Sequence, residues 1–325
     1  MKKIKTKPVK ILVATLIIAI TTGGYLAADR FLIEHVEVDN VPNLTNISNA
    51  QSLNDDSTSN DKSTSESADN NSDSTTSDDW NYKSNDVSLS VKEVSTGSGN
   101  NKVTYFVADI QLSNATELKS AFAKNKFGRN IIQDTSIIAE NNGAVFAVNG
   151  DYYGFRTDGI VIRNGVIYRD EPARTGLAFY KDGSMKIYDE TKTSAQELLD
   201  AGVWNTLSFG PALLIDSMMP SDISETEVDT NFGNHSIQGA NPRTGIGIID
   251  ENHFVVVVVD GRSKGYSKGV TLTEFSQIFK DLGCTDAYNL DGGGSSTMYF
   301  NGRVVNNPQG KNRERGVSDI LYIAG

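Results

Sequence analysis

Apolar positions fall into three regimes along this chain, and the breaks between them divide it. From Ile11 to about Ala28 they run almost continuously, behind Lys2, Lys3, Lys5, Lys7 and Lys10. Residues 51–80 then hold 24 Ser, Thr, Asn or Asp among 30 positions. Such a stretch has almost nothing with which to build a core, so conformational entropy keeps it disordered. From Val87 onward, short β-branched and aromatic runs alternate with glycine-marked turns, the signature of a folded domain. These breaks predict a basic end and membrane anchor over 1–30, a disordered tether over 31–85 and one globular domain over 86–325, a length sufficient for a single large domain.

Within that domain Val103–Leu112 reads as a strand, and Leu118, Ala121, Phe122 and Ala123 after Thr116 as the apolar face of a helix. A second short helix covers Ser136–Glu140. Ala144–Val148 is a buried strand that delivers Asn149-Gly150-Asp151-Tyr152-Tyr153 at its exit. Asn164-Gly165 and Asp182-Gly183 each sit between apolar runs and predict hairpins. Ser194 with Glu197 and Thr271 with Glu274 are capping boxes that open helices ending near Gly202 and Gly283. Phe209–Ile215 reads as a strand, and the polar, aperiodic stretch from Pro220 to Ala240 as a mobile surface loop. Five consecutive valines, Val255–Val259, indicate a strand buried on both faces. A strand into Asp291, one at Met298–Phe300, one at Val304-Val305 and a last at Asp319–Ile323 complete the pattern. The fold class expected is α+β, with a mixed or largely antiparallel sheet, several hairpins and three to four helices, behind the N-terminal anchor.

Charge refines this division. The net charge of −11 falls most heavily, per residue, on the tether. The domain is mildly acidic and has no basic run, which argues against nucleic acid as a partner. The lysines before the apolar run predict that the N-terminus stays cytoplasmic, giving a single-pass protein of the cell membrane with the domain outside. A cleaved signal peptide is the alternative, but Leu26 or Tyr25 would occupy the −3 position where a small residue is needed. A tether of about 40 residues reaches ~35 Å. Cys284 is the single cysteine, so no intramolecular disulfide can form. It reads as a small core residue.

Three strand exits share one pattern of polar residues flanked by glycine: Asn149-Gly150-Asp151, Asn241-Pro242-Arg243-Thr244-Gly245 and Asp291-Gly292-Gly293-Gly294-Ser295. Loops held by a rigid sheet are where binding and catalysis concentrate. Two carboxylates and a guanidinium suit a substrate with one bond to break and one anion to hold, since Arg grips phosphate through a planar fork. Three glycines let a ligand approach the backbone, and their N–H groups can form an anion-binding concavity. His235 and His253 are isolated. No HExxH or cysteine cluster is present, which removes support for zinc hydrolase chemistry.

The ordered set Val148-Asn149-Gly150-Asp151-Tyr152-Tyr153, Asn241-Pro242-Arg243-Thr244-Gly245-Ile246-Gly247 and Asn289-Leu290-Asp291-Gly292-Gly293-Gly294-Ser295 resembles the phosphodiester glycosidase family, whose bacterial members are often associated with exopolysaccharide biosynthesis. Ser208–Leu213 and Arg315-Gly316-Val317-Ser318-Asp319 add to the likeness, which spans roughly residues 100–325. The resemblance implies hydrolysis of a sugar-1-phosphodiester at its glycosidic bond, on a cell-surface or exported glycopolymer. It implies Asp291 and Asp151 as the catalytic carboxylates. Arg243, Asn149, Gly292, Gly293, Gly294, Ser295 and Arg315 would bind substrate. Asp151-Tyr152 departs from the small residue and phenylalanine common in the family, so Asp291 is the better supported carboxylate. Two other readings remain at this stage. One is a non-catalytic module that binds an anionic polysaccharide. The other is a phosphodiesterase that cuts P–O with Ca²⁺ or Mg²⁺ held by Asn149, Asp151 and Asp291. The glycosidase reading itself requires no cofactor.

Overall fold

The computed structural model describes residues 7–41, 75–226 and 237–325. Two sheets pack face to face. The larger has eight strands in the order Ala212–Leu214, β9 (Asp286–Leu290), β7 (Arg243–Asp250), β8 (His253–Val259), β2 (Val103–Leu112), Val87–Thr96, Asn81–Lys83 and Thr76–Ser77. The smaller has five, in the order Arg303–Val304, β10 (Met298–Phe300), β5 (Ala144–Asn149), β11 (Asp319–Ala324) and β3 (Lys119–Phe122). A three-stranded sheet and two strand pairs flank them, and every ladder is antiparallel.

Alternation of side chains along the strands creates the layers. Ile246, Val256, Val258, Tyr288 and Leu290 of the larger sheet share a core with Phe146, Val148, Met298, Phe300, Leu321 and Ile323 of the smaller. The interleaved Val255, Val257, Val259 and Ala287 pack instead with Phe275 and Phe279 of helix α4 (Leu272–Asp281). The valine run is thus buried on both faces, each side chain contributing about 1.5–3 kcal/mol of apolar burial. Helix α2 (Thr135–Asn141) closes the far side of the smaller sheet, with Ile138 and Ala139 against Ala147, Tyr299, Ile320 and Tyr322. The order is helix, sheet, sheet, helix. The α4 layer sits so close that a Cβ on Gly245 would lie 2.9 Å from the Phe275 ring, and one on Gly247 2.8 Å from Cys284 Sγ.

Local signals produced what they predicted where they were strong. Both capping boxes form, at helix α3 (Ala195–Asp200) and at α4. Asn164 and Gly165 both take positive φ, as the tightest hairpin turn requires. One expected helix is a strand: after a single turn at Ala115–Glu117 the chain runs extended as β3. Pairing with β11 and a clasp on Ser120 by the Asn164 side chain (2.9 and 2.7 Å) override the helical spacing there. The strand expected over Phe209–Ile215 is shorter, Ala212–Leu214.

The N-terminal anchor is also corrected. Helix α1 (Lys7–Phe31) forms, but among the described residues no helix is long and apolar enough to cross a membrane. Its apolar run is broken by Thr21-Thr22-Gly23-Gly24, and Asp29-Arg30 falls within the same helix. The uninterrupted part falls short of the roughly 20 residues a span needs. This finding overturns the expected transmembrane signal-anchor, the membrane as partner through it, and the single-pass location at the cell membrane on which the extracellular placement of the domain rested. The end of α1 turns back to the domain. Asn130 Nδ2 donates to Asp29 O and Ile33 O, both at 2.9 Å. Strand β1 (His35–Val38) then pairs with β4 (Phe127–Arg129). Most of the expected tether (residues 42–74), and His235 within 227–236, lie outside the described residues.

Candidate active site

Because β7 runs antiparallel to both neighbours, its first residues lie beside the last of β8 and β9: Arg243 opposite Val259, Thr244 opposite Leu290. In the smaller sheet β11 likewise starts beside the end of β5, with Ile320 opposite Asn149. The exits carrying Asp151, Asp260 and Asp291, and the start of β11 at Asp319, therefore gather at one end of the two sheets.

Asn149 joins the sheets there. Its Nδ2 donates to Asp291 O (2.7 Å), and its Oδ1 accepts from Thr244 Oγ1 (2.8 Å) and Thr297 N (3.2 Å). The residue is fully buried. Both ends of the amide are engaged by protein, which makes it a staple under the site.

Asp151 is also inside the fold. Its Oδ1 accepts from Tyr152 N and its Oδ2 from Ser208 N, both at 2.6 Å. Arg163, at the end of β6 (Gly159–Arg163), lies between it and Asp319. Arg163 Nε donates to Asp319 Oδ2 at 2.8 Å, and Nη2 stands 3.6 Å from Asp151 Oδ2. Asp319 Oδ1 in turn accepts Asp151 N at 2.8 Å. Burial opposes the charge on Arg163, but Asp319 and Asp151 outweigh it and raise its pKa. Burial pushes Asp319 up to about 6; Arg163 opposes the rise and Asp151 adds to it.

Asp291 differs. It is 9% exposed, and burial raises its pKa against the opposing charge of Arg315. Arg315 Nη2 lies 3.4 Å from Asp291 Oδ2 and 3.4 Å from Gly292 O. Its Nη2 and Nε also donate to Ser295 Oγ, at 2.6 and 3.1 Å. The glycine turn is narrow. A Cβ on Gly294 would lie 3.2 Å from Arg315 Cδ, and one on Gly293 3.2 Å from Arg262 Nη2. Gly293 N already donates to Pro242 O (2.9 Å), and Ser295 N to Gly292 O (3.2 Å), which thins the expected nest of donors.

Arg243 points to the α4 side. Its Nε donates to Val270 O (3.1 Å), and its Nη2 to Gly239 O (2.8 Å) and Ile237 O. Burial, with the charge of Arg262, lowers its pKa to about 10. It fastens the loop that carries Asn241. The structure thus brings Asp291, Gly292–Gly294, Ser295 and Arg315 together at the surface of the site, and places Asn149, Asp151 and Arg243 beneath it.

Three participants were not singled out by sequence reasoning, Arg163, Asp260 and Arg262, and a fourth, Asp319, was quoted only as the end of the closing motif and given no role. Asp260 accepts from Asn306 Nδ2 (2.8 Å), Asn307 N (2.9 and 3.1 Å) and Tyr266 OH (2.9 Å). The pattern that marked the other exits also fits Asp260-Gly261-Arg262 after the valine run. The Arg163–Asp319 pair joins residues far apart in sequence and left no local signal. Among the described residues, no group of three or more His, Cys, Asp or Glu is arranged to hold a metal ion.

The family model described as phosphodiester glycosidase matches residues 142–324, which include every site residue named above. A prophage-derived uncharacterized protein of Bacillus subtilis strain 168, YomE, is 33% identical over 207 residues, covering 61% of this chain and 30% of that protein. Bovine N-acetylglucosamine-1-phosphodiester alpha-N-acetylglucosaminidase is 28% identical over 119 residues, covering 37% and 22%. The chain spans less than a third of the length of these two relatives. The zebrafish enzyme of the latter name, as its catalytic domain auto-inhibited by pro-peptide, superposes with a TM-score of 0.60 over 74% of this chain and 83% of that one. At 19% identity, that likeness is one of fold.

Proposed function

The chain belongs to the phosphodiester glycosidase family, and from that premise we propose that it is a hydrolase that cleaves the glycosidic bond of a sugar-1-phosphodiester. The sugar leaves as the free hemiacetal, and the phosphate remains as a monoester. The observation that carries this reading is Asp291, a nearly buried carboxylate at the rim of a glycine turn, 3.4 Å from the half-exposed guanidinium of Arg315.

A phosphate monoester is a good leaving group and departs with little protonation. The harder task is stabilising positive charge at the anomeric carbon. Asp291 supplies a carboxylate for that purpose, as nucleophile or as the base that activates water. In either course the C–O bond to phosphate breaks with its electron pair going to phosphate, and water oxygen ends on the sugar. Arg315, Ser295 and the open side of the turn hold the phosphate oxygens in a charge-assisted, bidentate manner. Burial makes Asp291 easier to protonate, and the charge of Arg315 counters this and favours the carboxylate. Asp151, with both oxygens engaged, acts as a positioning group that fixes the Tyr152 and Ser208 backbones.

The test uses the full chain, a panel of α- and β-linked sugar-1-phosphodiesters and water enriched in ¹⁸O, with products read by mass spectrometry. Label in the sugar is the expected result. Label in the phosphate, with activity lost in chelator and restored by Ca²⁺ or Mg²⁺, would replace the proposal with metal-dependent P–O cleavage. Polymer binding without turnover of any member would replace it with the non-catalytic module.

A further inference from the structure

Three guanidiniums lie within electrostatic reach of one another at this end of the sheets. Arg262 lowers the pKa of Arg243, and Arg315 lowers that of Arg262, in each case after the effect of burial. Arg243 is committed to backbone carbonyls. Arg315 has a carboxylate near it in Asp291. Arg262 makes no ion pair with a carboxylate among the described residues. Its Nε and Nη2 both donate to the neutral Asn241 Oδ1, at 3.3 and 2.9 Å. It is exposed, and it faces Gly293 while Arg315 faces the adjoining Gly294. Two arginines thus bracket a stretch of backbone without side chains.

The backbone of Arg262 carries a second mark. Its φ is 58°, the left-handed region that a long side chain enters at a cost. The surrounding loop enforces it. Asp260 is tied to Asn306, Asn307 and Tyr266, and Ser263 N donates to Ser267 O at 3.0 Å. Like charges held side by side by a braced, strained backbone point to an anion that belongs between them.

Resting on the phosphodiester reading, we infer that Arg262 and Arg315 form a two-armed phosphate grip across Gly293–Gly294, and that this grip favours the dianionic monoester product over the monoanionic diester substrate. The diester carries one negative charge. The monoester carries nearly two above its second pKa, near 6. Asp291 repels both species, but two guanidiniums outnumber it, so the extra charge on the product is net attracted. Product retention, and inhibition by phosphate monoesters, follow from the same geometry.

The experiment is binding, so it needs no turnover. Methyl phosphate and dimethyl phosphate are titrated calorimetrically into the full chain at pH 5 and pH 7.5. The expected preference for methyl phosphate at pH 7.5 is about tenfold, the weight of roughly one extra charge–charge contact at the surface, and it should vanish at pH 5. The groups acting on Arg262 are Arg243, Arg315 and Asn241, with Asp291 behind Arg315. Asp291→Asn, titrated alongside, separates any change in the charge of Asp291 from the change in charge on the phosphate. Arg262→Gln should abolish the preference, and Arg262→Lys should keep part of it, since the charge remains but the fork is lost. Equal binding of the two ligands at pH 7.5, or an unchanged ratio in Arg262→Gln, would overturn the inference. A normal ratio in a chain that hydrolyses no diester would leave the grip standing and remove only the hydrolase reading.

Discussion

Replacing Asn149 by Ala separates a staple from a substrate contact. The amide satisfies Asp291 O, Thr244 Oγ1 and Thr297 N at 2.7, 2.8 and 3.2 Å, in a place with no access to bulk water. Truncation leaves three polar groups unpaired, each costing about 1–3 kcal/mol when buried. A water entering the vacated space relieves part of this, since it meets several polar partners there. The net loss expected is about 3–5 kcal/mol, a large share of the roughly 5–15 kcal/mol that stabilises a typical domain. Urea unfolding followed by the fluorescence of Trp80 and Trp204 reads it as a lower midpoint at unchanged slope. Asn149→Asp keeps the shape but turns an oxygen toward Asp291 O, so it should be destabilised as well and partly recover at low pH, where a protonated acid can donate. A change in stability below about 0.5 kcal/mol for Asn149→Ala, the scatter of ordinary surface substitutions, combined with a raised KM, would refute the staple and return Asn149 to the substrate.

Asp291→Asn should lower kcat by at least ~100-fold with the fold intact. Near-normal turnover would remove Asp291 from the chemistry. Asp291 must be ionised to act, and burial raises its pKa, so activity should fall on the acid side at a pH above the ordinary Asp value. Arg315→Gln, by removing the opposing charge, should move that limb higher still in a kcat/KM–pH profile. Asp319 has a folded pKa of about 6, above its unfolded value. Its contribution to stability is therefore complete below about pH 4 and lost as pH rises through about 6, a dependence that urea midpoints should show in the wild type and not in Asp319→Asn. Arg243→Lys cannot reproduce donation to Val270, Ile237 and Gly239 together, so thermal melting should register a loss of stability; unchanged melting would contradict its role as a fastener.

What was legible in the sequence was what local chemistry decides. Ser194 with Glu197 and Thr271 with Glu274 specify helix starts through bonds that close within four residues. The five valines fix a strand because no neighbour is needed to see that both faces are apolar. Leu118–Ala123 misled because its spacing suits a helix, while the decisive partners, Asn164 and β11, lie far along the chain. Arg163 and its pairing with Asp319 stayed hidden for the same reason: 156 positions separate the two, so the motif that ends in Asp319 does not name its partner. Asp260-Gly261-Arg262 is a different case, since it repeats the pattern of the other exits and was readable by the same rule.

Arg243 and Thr244 show how far one further step of physical reasoning would have gone. Side chains alternate along a strand, so adjacent residues serve opposite faces, and a slip of one position exchanges their roles. Val259, opposite Arg243, packs on the α4 side; Val258, opposite Thr244, packs between the sheets. Gly245 confirms the parity, since its missing Cβ would strike Phe275 of α4. Arg243 is therefore directed away from the inter-sheet space, and Thr244 is the residue of that motif that reaches Asn149. Within a motif that draws attention to its arginine, parity assigns the arginine to the scaffold and the threonine to the junction under Asp291. The proposed phosphate grip draws instead on guanidiniums beyond strand ends, where parity no longer constrains direction, and Arg262 and Arg315 both stand in such positions.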